Sequence, residues 1–127
     1  MRILIAEDEK VIQSLYKLGL PAEICDLQFV SDGNQAIAIY EEWRPEIVIL
    51  DYGLPLSNGY QVLRYIREIA KDETTTVIMV TSISDQDLVI ACSRLGIQGY
   101  IPKPFRTEEL AWMVFQYHLD NEQKAKL

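Results

Sequence analysis

Unbroken apolar runs and helically spaced apolar positions alternate along this chain. Arg2-Ile3-Leu4-Ile5-Ala6 reads as a strand covered on both faces, and it stops at Glu7-Asp8-Glu9. Val11, Ile12, Leu15 and Leu18 follow at helical spacing, with Gly19 as a natural stop. Residues 26–30 predict a short second strand. Ser31-Asp32-Gly33 then supplies a turn and an N-cap for a helix with Ala36, Ile37 and Tyr40 inward, ended by Arg44-Pro45. A third strand runs from Ile47 to Leu50 and ends at Asp51. Beyond the loop Leu54–Gly59, capped by Ser57 or Asn58, a helix buries Val62, Leu63, Ile66 and Ile69. Thr76–Val80 is again a strand buried on both faces, stopping at Thr81-Ser82. Ser84-x-x-Asp87 has the form of a capping box opening a fourth helix that ends near Gly96. Gly99-Tyr100-Ile101 is a short last strand leading into Pro102-Lys103-Pro104-Phe105. Thr107 is placed to cap the final helix, whose dipole suits Glu108 and Glu109.

Five strands alternating with five helices over short connections predict an α/β fold, an open parallel sheet with helices on both faces. Ligands of such sheets bind outside the carboxyl ends of the strands, where strand order reverses. Four strands end there in polar residues: Glu7 and Asp8, then Asp51, Thr81 and Lys103.

Composition narrows the class. At 127 residues, 49% hydrophobic and 24% charged, the chain is expected to form one domain with a single core. A net charge of -7 argues against nonspecific binding of nucleic acid or an anionic membrane by this domain. Cys25 and Cys92 lie in apolar contexts without a CxxC spacing and read as small buried hydrophobes. No signal-peptide pattern opens the chain and no apolar run approaches the ~18 residues that span a bilayer, so the expected compartment is cytoplasmic. The single histidine, His118, lies far along the last helix and reads as a surface or interface residue rather than a base.

Three carboxylates converging on one crevice repel one another unless a cation intervenes. All-oxygen ligation with few carboxylates suits magnesium better than a closed calcium cage. A metal, the Lys103 ammonium and the Thr81 hydroxyl around Asp51 make a site for a dianion, able to stabilise a phosphoryl group built onto that aspartate. Singly, each residue has an ordinary explanation as a solvated loop acid, a strand-end hydroxyl or a surface lysine. Their joint placement at successive strand ends is what points to chemistry.

Glu7-Asp8, Asp51 with Leu54-Pro55 and Gly59, Thr81, Tyr100, and Lys103-Pro104-Phe105 together resemble the receiver domain of two-component response regulators, over roughly residues 2 to 119. The resemblance implies a flavodoxin-like sheet of order 2-1-3-4-5. It implies a phosphorylation-dependent switch, not an enzyme with a small-molecule product, in which Asp51 accepts a phosphoryl group from a sensor histidine kinase or a histidine phosphotransfer protein. Mg2+ would be held by Asp8, Asp51 and the backbone carbonyl of Gly53, with Glu7 reaching it through water. Lys103 would pair with the phosphoryl oxygens, its bond to Pro104 cis. Thr81 would move toward the phosphoryl group, and Tyr100 would swing inward behind it.

Ser82 follows Thr81 where a smaller residue is frequent in the family, slightly narrowing access. Gly53 and Ile83, two positions beyond Asp51 and Thr81, offer no side chain to position an attacking water, which predicts slow hydrolysis. On the last helix, Leu110, Val114 and Tyr117 form an inward stripe, while Trp112, Phe115 and Leu119 form a second. With Tyr100, Trp112 and Phe115 are the candidate output face of helix 4, strand 5 and helix 5, for a homodimer or an effector. Residues 1–120 read as the receiver and 121–127 as a tail or the start of a linker. Two other readings compete: a haloacid-dehalogenase-type phosphatase, against which Gly53 stands where a second acid is needed, and a binding module that never turns over phosphate.

Overall fold

A computed structural model of the chain describes residues 1–82 and 85–126. Strands β1 (Arg2–Ala6), β2 (Asp26–Val30), β3 (Ile47–Asp51), β4 (Thr76–Thr81) and β5 (Gly99–Pro102) form one parallel sheet in the order β2-β1-β3-β4-β5. Helices α1 (Lys10–Gly19), α2 (Gly33–Trp43), α3 (Gly59–Arg64), α4 (Gln86–Leu95) and α5 (Thr107–Ala125) connect the strands, and α3 continues into a π turn at Tyr65–Ile69. Strand order reverses between β1 and β3, which sets Asp51 beside the acids that follow β1.

Alternation along the strands sends side chains to two cores. Ile3, Ile5, Ile47, Ile49, Ile78 and Val80 pack under α1 and α5 with Tyr16, Leu110 and Val114. Leu4, Ala6, Val48, Leu50, Val77 and Met79 pack on the opposite face with Ala36, Tyr40, Val62, Leu63 and Ile66 from α2, α3 and the π turn. The three central strands are almost wholly inaccessible, which is why they read as continuous apolar runs. Cys25 and Cys92 are buried and free. Among the described residues no helix is long and apolar enough to cross a membrane.

Several local expectations are corrected. Helix α1 buries Gln13 and Tyr16 and leaves Val11 and Leu18 exposed, because the Gln13 amide is satisfied by the Glu7 carbonyl at 2.7 Å. Gly19 is less a stop than a contact: a Cβ there would lie 2.8 Å from Leu110 Cδ2 and 3.0 Å from the Thr107 carbonyl of α5. Ile69 is exposed because the π turn, closed by Ala70 N–H donating to Tyr65 O, adds a residue and carries it off the line of Val62 and Ile66. Asn58, not Ser57, caps α3 in a capping box with Gln61. Asp85 caps α4 by accepting from Asp87 N–H; Ser84 and Ile83 lie outside the described residues.

Thr107 begins α5 rather than capping it; its hydroxyl donates to Glu108, and Arg106 is the cap position. His118, not a surface residue, is buried with Leu110 and Val114, its Nδ1 2.6 Å from Thr76 Oγ1. The helix continues past Asp120 to Ala125, and Asn121 donates to Thr74 O and Thr76 Oγ1, so this stretch is held against β4. Asp32 caps α2 through Gln35 N–H, and Arg44, in the left-handed region, ends it.

Candidate functional site

Close approaches at two glycines shape the loop that follows Asp51. A Cβ on Gly33 would collide with the backbone of Ser57 at 1.8 Å, and one on Gly59 would sit 2.6 Å from the Asp51 carbonyl. Gly33 N–H donates to Pro55 O and Gly59 N–H to Tyr52 O. The start of α2 and the start of α3 therefore clamp the loop from both sides, and only glycine allows the approach. Asp51 N-terminal to this loop is fixed by β3, whose register sets it opposite Val80 of β4.

The strand ends deliver four charged groups to one place. Glu7 is fully buried, Asp51 nearly so, and Asp8 is exposed at the rim. Oxygen atoms of Glu7, Asp8 and Asp51 lie within 4.8 Å of one another. Lys103, on the turn after β5, donates to Glu7 Oε1 at 2.7 Å and stands 3.3 Å from Asp51 Oδ1. Its peptide bond to Pro104 is cis, and its backbone N–H donates to Thr81 O, tying the end of β5 to the end of β4. Glu9 N–H donates to Glu7 Oε2, so both oxygens of the buried acid are engaged.

Electrostatics follow from this crowding. Burial pushes the Glu7 carboxyl up, helped by the charge of Asp51 and only partly opposed by Lys103 and the Glu9 N–H. Burial alone would lower the Lys103 ammonium, but its bond to Glu7 and the charge of Asp51 more than reverse that, holding it protonated. One lysine faces three carboxylates. An excess of negative charge with converging oxygens, two of the three acids buried, fits a hard divalent cation.

Thr81 is buried at the end of β4, one residue past the partner of Asp51. Gly53 lies exposed in the turn after Asp51, and a Cβ there would meet Asp51 Oδ2 at 3.9 Å and nothing nearer. Tyr100, opposite Met79, packs into the α2–α4 core. Its hydroxyl is already buried and has no hydrogen-bond partner among the described residues.

The sequence profile of the response regulator receiver domain matches residues 3–115. The chain belongs to the response regulator receiver family. The DNA-binding response regulator MtrA of Mycobacterium tuberculosis is 34% identical over 109 residues, 86% of this chain and 46% of that protein. The receiver thus spans about half the length of the curated relatives it matches. The crystal structure of the signal receiver domain of a protein described as a Luxo repressor, from Vibrio parahaemolyticus, superimposes with a TM-score of 0.86 at 29% identity, covering 98% of this chain and 94% of that one. The Mn(2+)-bound form of the response regulator Rcp1 superimposes with a TM-score of 0.74 at 28% identity, covering 89% and 88%.

The receiver's sequence-predicted site residues divide into two groups. Glu7, Asp8, Asp51 and Lys103 meet at the strand ends, with Thr81 and Gly53 adjoining them. Tyr100 belongs to the α2–α4 side, whereas Phe115 packs into the α1–α5 core and Trp112 points to solvent from the outer line of α5. Missed by sequence reasoning was Gln13, which positions the Glu7 carbonyl. The spacing Gln13–Tyr16–Leu20 marks the inward line of α1 as well as the apolar one does, but a glutamine on it gives no apolar signal.

Proposed function

We propose that this receiver is a phosphorylation-dependent switch, with Asp51 taking a phosphoryl group from the phosphohistidine of a sensor kinase or a histidine phosphotransfer protein. A single observation carries the reading: Lys103 stands between the buried Glu7 and Asp51, with Asp8 at the rim, so one cation and three acids surround one nucleophilic oxygen. The Asp51 carboxylate attacks phosphorus, the phosphorus–nitrogen bond to imidazole breaks, and the imidazole leaves on the donor. Lys103, already within reach of Asp51 Oδ1, exchanges contact with Glu7 for contact with the phosphoryl oxygens. Asp8, Asp51 and the carbonyl of Gly53 would hold Mg2+, with Glu7 reaching it through water; the Mn(2+)-bound relative supports divalent-cation binding at this fold. Bound there, the cation offsets charge on the phosphoryl oxygens.

Thr81 hydrogen-bonds the phosphoryl group, and Tyr100 follows it, shifting α4, β5 and α5. Support for that movement comes from the Tyr100 hydroxyl, which is buried and has no hydrogen-bond partner among the described residues, an arrangement that costs about 1–3 kcal/mol and that a shift of the ring would relieve. A shift from mostly inactive to mostly active needs roughly 3–5 kcal/mol of differential interaction, within reach of several charge-assisted hydrogen bonds. The receiver acts as a substrate of kinases and has no small-molecule product of its own, and a cytoplasmic location fits such donors. Incubation with a small phosphodonor and magnesium, followed by intact mass, tests this. One phosphoryl adduct, absent in Asp51→Asn, is expected; no adduct with any donor would favour a binding module instead.

A further inference from the structure

Gln13 lies on the inward line of α1 with Tyr16 and Leu20, and only 5% of it is exposed. A primary amide in that position is costly unless it is bonded, and an apolar residue would pack there without the cost. Its Nε2 donates to the Glu7 carbonyl at 2.7 Å, inside a layer where α1 otherwise meets the sheet through apolar contacts.

The Glu7–Asp8 peptide joins β1 to the approach to α1, and few groups hold it. On the strand side, Glu7 N–H donates to Val30 O at 3.0 Å. On the helix side, α1 has no side-chain cap at Glu9 and no acid in its first turn. The Asp8 side chain has no hydrogen bond or ion pair among the described residues, so its carboxylate goes where its backbone sends it. The Gln13 amide is the side chain that grips the carbonyl of this peptide. Tyr16, about one turn further on, packs on Phe105 with ring centroids 5.1 Å apart, two residues past Lys103. One face of α1 thus touches both the strand end that carries the acid pair and the one that carries the lysine.

We infer that Gln13 is a positioning residue for the divalent cation: its amide fixes the Glu7–Asp8 peptide, and through it the direction from which Asp8 meets Asp51. The inference rests on the reading above in which Asp8 and Asp51 hold Mg2+. An uncharged donor suits this place. An ammonium or guanidinium at position 13 also donates to a carbonyl, but it would add to Lys103 a second positive charge opposing the cation. A carboxylate would turn an acceptor toward the carbonyl and bury another acid beside Glu7. An aliphatic residue would leave the carbonyl unpaired and the peptide free to turn. Loss of the contact is expected to act on cation affinity rather than on phosphoryl transfer, because Asp51 and Lys103 are placed by β3 and by the Lys103 N–H bond to Thr81 O.

Titration with Mn2+, its free concentration followed by electron paramagnetic resonance, tests this. Gln13→Met, near in volume but without a donor, is expected to raise the dissociation constant by on the order of ten-fold, as loss of a group that orients a metal ligand does. Gln13→Asn, an amide too short to reach the carbonyl, is expected to raise it as well. Ile66→Val, a core change on the other face of the sheet, is expected to leave it unchanged although it lowers the urea midpoint too. With a small phosphodonor, Gln13→Met is expected to need on the order of ten-fold more Mg2+ for half its maximal phosphorylation rate and to reach the wild-type rate at saturation. Wild-type affinity in Gln13→Met or in Gln13→Asn overturns the proposal. So does a loss of affinity shared by Ile66→Val, or a lower saturating rate at an unchanged Mg2+ requirement. A wild-type chain that binds no Mn2+ overturns the reading of the site itself, and this inference with it.

Discussion

Gly53 leaves one side of the Asp51 carboxylate uncovered. A side chain at that position would start 3.9 Å from Oδ2, near enough to hold a water in line with a phosphoryl group. Gly53→Asn is therefore expected to shorten the lifetime of the phosphorylated state by on the order of ten-fold, less than the ~10²–10⁴-fold of a full general base, because an amide orients water without taking its proton. The check is the decay of the adduct, followed by mass, in protein with magnesium; equal decay in both proteins would mean that water reaches phosphorus by another route. The individual strand-end residues, Glu7, Asp8, Asp51, Thr81 and Lys103, were legible because each interrupts an apolar run. Gln13 and His118 were not. Both are buried polar residues, Gln13 satisfied by Glu7 O and His118 by Thr76 Oγ1 with Glu122 Oε1 3.4 Å from its Nε2, and sequence periodicity scores such positions as surface.

Asp72 shows how one element hands the chain to the next. It follows the π turn and accepts from Tyr40 OH at 2.6 Å, from Thr74 N–H at 2.9 Å and from Thr75 N–H at 3.0 Å. Arg67 completes the junction by donating to Gly96 O, Asp72 O, Thr75 O and Gln98 Oε1, which ties α3, β4 and the approach to β5 together. Burial alone would raise the Asp72 carboxyl, but the hydrogen bonds from Thr75 and Tyr40 and from the backbone outweigh it and hold the group well below the usual carboxylate range. A depressed folded-state value stabilises the fold above the unfolded value of about 3.9 and loses that contribution as pH falls below it. Asp72→Asn is expected to lower stability at pH 7 by about 2 kcal/mol and to flatten the acid limb of the stability profile, measured by urea unfolding between pH 7 and pH 3. A wild-type acid limb retained in Asp72→Asn would assign it to other carboxylates. The helix that leads here was legible up to Ile66. The π turn was not, since an i→i+5 bond needs no special residue, and so Ile69 was placed inside.

Across the whole molecule, the alternation of buried strands with helices was enough to predict a parallel sheet and to say that its chemistry lies at the carboxyl ends. Strand order was not in that pattern; it came with the family resemblance, and the β2-β1-β3-β4-β5 sheet agrees. Helix faces were the weakest part of the reading. Val11 and Leu18 recur at helical spacing with Ile12 and Leu15, yet both are exposed, because the inward line of α1 is Gln13, Tyr16 and Leu20. All of this presumes that Asp51 is the group that carries the phosphate. Tandem mass spectrometry of the chain after phosphorylation with magnesium, locating the adduct among Glu7, Asp8 and Asp51, tests it most directly. The adduct is predicted on the peptide bearing Asp51 and nowhere else; its recovery on Glu7 or Asp8, or its persistence in Asp51→Asn, would contradict the account.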